Sequence, residues 1–388
     1  MPFLRLHALR KRRCRVARDS QFISVDDPRW EDALRHIPHD LYHKPEYLRI
    51  VAASHENPQK TGAFYWRDGD QYALIPLLFN ALPPWVKEGS SGKIGNYWCD
   101  AASPYGYAGP ITNRPGQSEG AILAALRDAA EQEGVLALFL RAHPLLESSF
   151  HPVTEDSSSV IGTTYTIELP DISKDHNVGE SLLMSYRSSV RRAVRGLLTD
   201  TTIQFTINDW DQLKSFSSLY RENMERLSAA SSYFFEDNYF FELSSALPDS
   251  VFLLSAMNGD QLIGGVILFG CGSLLQYHLA AHHHIWRDRG LPKIIVHRAA
   301  EWGACEGYRQ FHLGGGLGGA DDSLAHFKKG FHPVSSPYRV YRMVIDEQIY
   351  RDAVAAIPDL VSDYFPSYRS PQRRSVSSEA DIELASAS

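Results

Sequence analysis

The sequence predicts an α/β fold of two similar units, each with a mixed central sheet flanked by helices. At 388 residues, the chain is long enough for two domains of about 150 residues or more. Residues 64–79 and 253–269 both place apolar β-rich runs around Asp-Gly or Asn-Gly, followed by Asp-Gln. This pattern is typical of β-hairpins. The spacing of the two hairpins indicates a duplicated unit, and a chance similarity between two hairpins is the alternative.

Helices that alternate with strands support the layered architecture in both halves. In the first half, Ser118 precedes a helical pattern that ends at Gly134, and the apolar run 135–140 then reads as a buried strand. In the second half, Pro292 starts a helix that Gly307 ends, before a strand at Phe311. We therefore predict an N-terminal domain over residues 21–155 and a C-terminal domain over residues 156–348.

The composition is that of a globular protein, with 44% hydrophobic and 22% charged residues. A net charge of −7 disfavours general nucleic-acid binding, so DNA is not expected as a partner. No run reaches the roughly 18 apolar residues of a membrane span, and residues 1–19 lack the apolar core of a secretory signal. These features predict a cytoplasmic location.

The two ends of the chain differ from its middle. Residues 1–20 form a basic leader, whose charge would let it touch anionic lipid at a membrane surface or RNA; a solvated, loose segment is the alternative. Residues 366–388 are rich in serine and are predicted to be a disordered tail. The four cysteines lie far apart without a Cys-x-x-Cys pair, which predicts neither disulfides nor a zinc site.

The most informative segment is Phe-His-Leu-Gly-Gly-Gly at 311–316, followed by Phe-Lys-Lys-Gly-Phe at 327–331. Glycines let backbone N–H groups approach a ligand, and the Lys328 ammonium could stabilise the oxyanion of acyl transfer. A glycine-rich surface turn without chemistry is the alternative. A dinucleotide fingerprint is excluded because no acidic residue follows at the required distance, and a Walker loop is excluded because no Gly-Lys-Ser/Thr closes the run.

Three further groups of residues are candidate ligand contacts. Tyr105 and Tyr107 offer rings and hydroxyls in a glycine-containing loop close in sequence to Asp100; a loop that staples two domains together is the alternative. Arg187 and Arg191 belong to an arginine series on a predicted helix over residues 183–197, suited to a diphosphate. A solvated helix face is the competing interpretation of that series.

The strand over residues 274–280 sends Tyr277 and His278 to opposite faces, so only one of them can readily face a cleft. His278 would suit a general base if its pKa stays near about 6.5. Core or surface positions without chemistry are the alternative for both. Three more histidines follow at 282–284, but adjacent side chains diverge on an extended backbone, so no metal site is expected.

Most of residues 21–345 resembles the FemAB-like branch of the GNAT acyltransferase superfamily. The resemblance rests on the Leu-Gly-Gly-Gly and Phe-Lys-x-Gly-Phe motifs, on Tyr-Gly-Tyr-Ala-Gly-Pro at 105–110 and on the arginine-rich helix. It implies two tandem GNAT-like domains that transfer an acyl or aminoacyl group to an amine or hydroxyl of a cell-envelope precursor or sugar. Within them, Phe327 would pack against the donor, Gly314, Gly315 and Gly316 would shape the donor pocket, and Tyr277 would orient the acceptor.

The resemblance also bears on the acyl donor, for which no tightly bound cofactor is expected. GNAT enzymes that use acyl-coenzyme A bind its pyrophosphate with an Arg/Gln-x-x-Gly-x-Gly/Ala turn. Arg287 and Gly290 match that turn, but Pro292 replaces its last small residue and removes an N–H donor. Aminoacyl-tRNA, the donor of peptidoglycan relatives, and acetyl-coenzyme A both stay open. A catalytically silent scaffold of envelope synthesis is the alternative of another class.

Overall fold

The computed structural model describes residues 18–54, 58–90, 94–95, 97–151, 158–174, 176–230, 233–357 and 364–370. Most of the basic leader and residues 371–388 of the tail therefore lie outside the described residues. Among the described helices, none combines the length and apolar character that a membrane span needs.

The strands of the described chain alternate with helices in both halves. The strands are β1 (Asp19–Ser24), β2 (Pro58–Asp68), β3 (Gln71–Ala81), β4 (Cys99–Ala102), β5 (Ile111–Thr112), β6 (Val135–Arg141), β7 (Ser159–Glu168), β8 (Ile203–Ile207), β9 (Val251–Asn258), β10 (Gln261–Cys271), β11 (Leu274–His282), β12 (Gln310–Gly315) and β13 (Val334–Val344). The helices are α1 (Pro28–His36), α2 (Pro45–Ala53), α3 (Pro84–Gly89), α4 (Glu119–Gln132), α5 (Val178–Ser185), α6 (Ser188–Leu198), α7 (Leu213–Arg226), α8 (Asp237–Ala246), α9 (His284–Arg287), α10 (Leu291–Cys305), α11 (Ser323–Lys329) and α12 (Glu347–Ala355).

All of these strands belong to one sheet, in the order β1-β2-β3-β4-β6-β13-β7-β12-β11-β10-β9-β8, with β5 attached to β3. β2 pairs with β3, and β9 with β10, in the two predicted hairpins, each closed by a two-residue turn that starts at Gly69 or Gly259. In each half the hairpin leads to a parallel pair, β4 with β6 and β11 with β12. α4 connects the first pair and α10 the second. The predicted α/β fold with two similar units is confirmed.

β13 joins the two halves, because it pairs antiparallel with β6 of the first half and with β7 of the second. The cores continue across this junction. The ring of Tyr42 lies 5.6 Å from the ring of Phe269, and Tyr47 lies 5.7 Å from the same ring. Residues from both halves thus belong to a single apolar cluster. Because burial of aromatic surface is strongly favourable, the halves are held together as one body at this point.

Two boundaries differ from the sequence-based expectations. The predicted helix over 183–197 is broken at Tyr186 and Arg187, whose extended backbone separates α5 from α6. The apolar stripe that motivated the prediction is nevertheless buried. The prediction that the disordered tail starts at residue 366 is wrong. Tyr368 is only 1% exposed and packs in an apolar cluster with residues of α3 and α12.

Candidate active site

An opening in the sheet of the second half positions the candidate site. The parallel strands β11 and β12 pair over only three positions, from Leu274 with Gln310 to Gln276 with His312. Beyond His312, β12 shifts its register against β7, and β11 bulges near His278 against β10. Strands that stop pairing leave backbone groups available to a ligand between them. A binding opening therefore starts at the level of His312.

The glycines at the end of β12 leave room for two functional groups from elsewhere in the chain. Gly314 has a φ of +73°, and a Cβ on it would lie 3.1 Å from the Tyr107 hydroxyl and 3.5 Å from Lys328 Nζ. Gly315 and Gly316 are packed differently, because a Cβ there would press on the carbonyls of Thr163 and Ala320. Gly314 thus lines the opening, whereas its two neighbours fit against adjacent backbone.

α11 carries Lys328 back to this glycine segment. The helix begins after Asp322, whose side chain accepts a hydrogen bond of 2.8 Å from the Ala325 N–H. One turn later, Lys328 Nζ donates a hydrogen bond of 2.5 Å to the Gly315 carbonyl, and the residue is only 7% exposed. Burial lowers the pKa of Lys328 to about 7, although the Asp322 carboxylate acts in the opposite direction. A weakly solvated ammonium at the end of β12 is suited to stabilising an oxyanion.

Tyr107 reaches the same place from the first half. Its loop is held close to the core, because a side chain at Gly106 would collide with the ring of Tyr42. The Tyr107 ring stands edge-on to His312 at 5.0 Å and to Tyr338 at 5.3 Å, and its hydroxyl receives a hydrogen bond from the Gly315 backbone. Burial raises the pKa of Tyr107, so its hydroxyl stays protonated. The loop both joins the halves and presents a hydrogen-bonding group beside Lys328.

His312 forms the base of the opening and was not singled out from the sequence. Its Nδ1 lies 2.6 Å from Gln276 Oε1, and Gln276 Nε2 donates a 2.8 Å hydrogen bond to Asp40 Oδ2. The His312 Nε2 atom is buried without a hydrogen-bond partner. Burial, His143 and Lys328, in that order, lower the pKa of His312 well below its ordinary value. A neutral imidazole therefore faces the site with one free nitrogen.

An arginine on the first-half side was also missed. Arg141 lies at the end of β6, where its Nη1 donates a 2.6 Å hydrogen bond to the Ser103 carbonyl and its guanidinium also bonds the Tyr338 side chain. Within the described residues it forms no ion pair with a carboxylate, unlike most arginines in the same part of the chain. Tyr105 stands nearby, edge-on to Tyr233 at 6.2 Å. This group of tyrosines around a cation can receive an anionic ligand.

The comparisons with known proteins agree with this geometry. An Acetyltransferase (GNAT) domain model matches residues 184–329, which include the diverging strands, the glycines and Lys328. Residues 184–329 are thus similar to a GNAT domain. The comparison with curated proteins found no match.

Solved structures extend the similarity of the GNAT domain to both halves. The crystal structure of FemX superimposes with a TM-score of 0.60 at 15% identity, covering 86% of this chain and 99% of FemX. The structure of L-PGS from Bacillus licheniformis superimposes with a TM-score of 0.50 at 15% identity, covering 86% of this chain and 96% of L-PGS. The C-terminal domain of a putative lysylphosphatidylglycerol synthetase from Agrobacterium fabrum superimposes with a TM-score of 0.50 at 14% identity. The match covers 84% of this chain and 93% of that domain. The chain thus has a FemAB-like GNAT fold, as the sequence motifs predicted.

His278 lies in the GNAT domain, but its surroundings do not suit a general base. Its Nε2 is 2.7 Å from the Tyr239 hydroxyl and its Nδ1 is 3.2 Å from the Tyr42 hydroxyl, so both nitrogens are engaged. Burial lowers the pKa of His278 to about 3, so the pKa near 6.5 that was the condition for a general base is not found. Burial lowers the pKa of His312 as well, so the two histidines differ in that His278 has no nitrogen free to accept a proton. The His278 ring also stacks on Phe269 at 3.8 Å. These contacts favour the core position that the sequence left open.

Tyr277 points to the other face of β11, where it packs at 6.1 Å from Phe311 and belongs to the second apolar cluster. Its role in orienting the acceptor stays a prediction. The rings that contact one another beside Lys328 are those of Tyr107 and His312. Phe327 packs 5.5 Å from Phe331, four residues later in the chain, and is partly exposed. Its contact with a donor stays a prediction.

Asp100 has partners that its position in the sequence did not indicate. Its Oδ2 accepts a 2.6 Å hydrogen bond from Arg369 Nε and one of 3.2 Å from the Tyr368 hydroxyl. Burial raises the pKa of Asp100, while Arg369 opposes that shift. The carboxylate therefore holds the C-terminal segment 367–370 against the first half, and the structure does not bring it together with Tyr105 as an acceptor contact.

The two arginines predicted to bind phosphate lie in different local settings. Arg187 lies in the break between α5 and α6, where its backbone N–H donates to the Gly330 carbonyl at 3.0 Å. Arg191 donates from Nη1 to the Met184 carbonyl at 3.1 Å, so the two side chains do not form one continuous row. Both residues stay at least partly exposed. Of this pair, Arg187 lies closer in the fold to the Lys328 turn.

The turn that would hold a pyrophosphate has few free donors. Arg287 forms an ion pair of 3.2 Å with Asp288, and Arg289 pairs with Asp200 at 3.0 Å. Gly290 caps α10 with a φ of +95° and lies against Ala193, which would be 3.2 Å from a Cβ at this position. The described residues also contain no group of three or more side chains that could hold a metal ion, and the histidines at 282–284 do not form one.

Proposed function

We propose that this chain is an acyltransferase that moves an acyl or aminoacyl group from an activated ester to an amine or hydroxyl of a cell-envelope precursor or sugar. One observation carries the proposal, namely the buried ammonium of Lys328 at the end of β12, 2.5 Å from the Gly315 carbonyl. The site lies where β11 and β12 separate, which is the natural entry for an extended donor.

The chemistry asked of these groups is modest. An amine that attacks an ester carbonyl needs to be positioned for attack on the carbonyl carbon. The carbonyl oxygen, which becomes negative, needs a hydrogen-bond donor or a cation beside it. Lys328 supplies a cation and Tyr107 a neutral hydroxyl on either side of Gly314. Phe327 lies at the start of the same turn and supplies an apolar surface for the acyl chain. We assign acceptor orientation to Tyr107 and Tyr105, which line the first-half side of the site.

An aminoacyl ester is favoured as the donor. The Arg287 turn has its guanidinium paired with Asp288, and Pro292 removes an N–H from the start of α10, so a pyrophosphate would find few partners there. The similarity in fold to a putative lysylphosphatidylglycerol synthetase is in keeping with this choice. Acetyl-coenzyme A remains the second candidate, because the matching domain model is that of an acetyltransferase.

The acceptor is expected to carry a negative charge. Arg141 has no carboxylate partner in the described part of the chain and stands among Tyr105, Tyr233 and Tyr338. A guanidinium with such neighbours binds phosphate or carboxylate oxygens well. Envelope precursors and acidic sugars carry such groups, which supports the proposed acceptor class.

A parallel donor assay tests the proposal. The wild-type chain is offered acetyl-coenzyme A or alanine-charged tRNA, with lysine, glucosamine and water as acceptors. We expect loss of one donor in the presence of enzyme. Lys328→Met should lower that rate about 10²-fold or more, whereas Lys329→Met, which removes an exposed lysine paired with Asp321, should not. If neither donor is consumed while either still binds, the chain is a silent scaffold and the proposal is wrong.

A further inference from the structure

A buried hydrogen-bond network that joins the two halves determines which nitrogen of His312 carries the proton. Asp40 is fully buried, and burial acts to raise its pKa, but the hydrogen bond and charge of His143, the charge of His43 and the Leu41 N–H together lower it. Its carboxylate is therefore ionised and can only accept. Gln276 must therefore turn its NH₂ group toward Asp40 Oδ2, at 2.8 Å. This fixes the orientation of the Gln276 amide.

The orientation of Gln276 determines the tautomer of His312. With its NH₂ on Asp40, Gln276 presents Oε1 to His312 Nδ1 at 2.6 Å. An amide oxygen only accepts, so Nδ1 must carry the proton and donate it. In a neutral ring the lone pair then lies on Nε2, the atom that has no partner.

The contacts of His143 show independently that Asp40 accepts hydrogen bonds in this network. The N–H groups of Leu145 and Leu146 donate to His143 Nδ1 at 3.2 and 3.1 Å. Its Nδ1 is therefore an acceptor, and its Nε2–H donates to Asp40 Oδ2 at 3.1 Å. The two backbone N–H groups and the Asp40 carboxylate thus place the His143 proton, and His312 Nε2 is the end of the network that is left without a partner.

The His312 ring lies beside groups of the proposed reaction site. The Tyr107 ring lies edge-on to the His312 ring at 5.0 Å, and the Lys328 ammonium is close enough to lower the pKa of His312. A buried nitrogen lone pair without a partner costs about 1–3 kcal/mol. An N–H or O–H of a bound acceptor would remove that cost.

We propose that His312 is a catalytic residue, whose Nε2 accepts a hydrogen bond from the attacking amine or hydroxyl and takes its proton during transfer. This role rests on the acyltransferase function proposed above. The nucleophile forms a bond to the acyl carbon as its proton moves to Nε2. Collapse of the tetrahedral intermediate then breaks the bond to the donor oxygen or sulfur, which leaves with that proton. Gln276 and Asp40 are positioning residues, because they act only by holding the His312 tautomer.

A substitution at residue 312 tests the proposed step. His312→Asn keeps an amide near the position of Nδ1, which can still bond Gln276, but it has no group at Nε2. In the donor assay we expect kcat to fall about 10²-fold or more, with the donor Kd and the melting temperature close to those of the wild type. His326→Asn, an exposed histidine on α11, is the matched control and should retain wild-type kcat.

The tautomer is measured separately on the wild-type chain by long-range ¹H–¹⁵N correlation spectroscopy, so the result depends on no variant folding. We expect His312 to be neutral with its proton on Nδ1. A proton on Nε2, or a His312→Asn variant with kcat within about threefold of wild type, overturns the assignment. A wild-type chain that consumes neither donor would instead remove the acyltransferase function itself, so the two failures are distinguishable.

Discussion

Gln276 donates a hydrogen bond of 2.8 Å to Asp40, a residue 236 positions earlier in the chain. Asp40 belongs to the first half and Gln276 to the strand that opens the site in the second half, so one bond ties the base of the opening to both units. Because the Asp40 carboxylate is buried, loss of this bond would remove one of the donors that offset its burial, leaving His143 and the Leu41 N–H. The geometry of the proposed site therefore depends on the junction as well as on the GNAT domain.

A side chain at Gly314 should impair transfer. Gly314→Ala adds a Cβ at 3.1 Å from the Tyr107 hydroxyl and 3.5 Å from Lys328 Nζ, in a left-handed conformation with φ of +73°. We expect a loss of roughly tenfold or more in kcat/KM, and about 1 kcal/mol of stability from the backbone strain. Gly272→Ala is the control, since it has φ of +57° but open space around it. Equal activity losses in both variants would contradict the account.

The pairing of Asp100 predicts a stability effect without a catalytic one. Arg369→Ala leaves the buried Asp100 carboxylate with only the Tyr368 hydroxyl among these C-terminal partners. We expect a loss of about 2 kcal/mol or more in the free energy of unfolding, measured by urea denaturation, with unchanged KM for the acceptor. Arg351→Ala, an exposed arginine on α12, serves as control. A raised acceptor KM in Arg369→Ala would restore Asp100 to the site.

Local sequence signals predicted the repeated elements of this fold well. The two hairpins were predicted because Asp-Gly and Asn-Gly turns act over a few residues, and the pairing of β2 with β3 and β9 with β10 follows them. The helix α10 and the strand β12 were predicted from proline, glycine and apolar spacing for the same reason. The glycine segment and Lys328 were found because they are close in sequence, only 13 positions apart at their hydrogen bond.

Features that depend on distant pairing were not predicted. The insertion of β13 between β6 and β7 joins segments that no local pattern relates. His312 was passed over because its significance lies in Gln276 and Asp40, and only the folded chain brings the three together. Asp100 was placed with Tyr105 because they are only five positions apart in the sequence, whereas its partner Arg369 is 269 positions away. A lone polar residue inside an apolar strand, as at His312, was the available signal.

The guanidinium of Arg141 has no carboxylate partner among the described residues, which predicts a role in acceptor binding. Arg141→Met should raise the acceptor KM about tenfold, because a charged hydrogen bond is worth about 1.5–3 kcal/mol, and should leave the donor Kd unchanged. Arg67→Met is a suitable control, because Arg67 lies 4.9 Å from the Tyr72 ring, with its Nε bonded to the Gly69 carbonyl. An unchanged acceptor KM for acidic acceptors would rule out this contact.

Burial of Lys328 predicts a stability that depends on pH. Its pKa falls from 10.5 to about 7 on folding, so the unfolded chain binds this proton more tightly and the ammonium destabilises the fold. The penalty is complete below about pH 7 and disappears as the pH rises toward 10.5. Lys328→Met should therefore gain stability relative to wild type on acidification, on the order of 2 kcal/mol between about pH 9 and pH 6. Urea denaturation at both values checks this; a constant difference would contradict the lowered pKa.

The ratio of kcat for wild type and Lys328→Arg, measured across pH in the donor assay, tests the central role of the Lys328 ammonium most directly. Both variants share the titration of the acceptor amine, which cancels in the ratio, and arginine stays charged throughout. We predict a ratio that is constant on the acidic side and falls as the pH rises through about 7, where Lys328 loses its proton. A ratio that stays flat through this range, or rises, would contradict stabilisation of the oxyanion by Lys328.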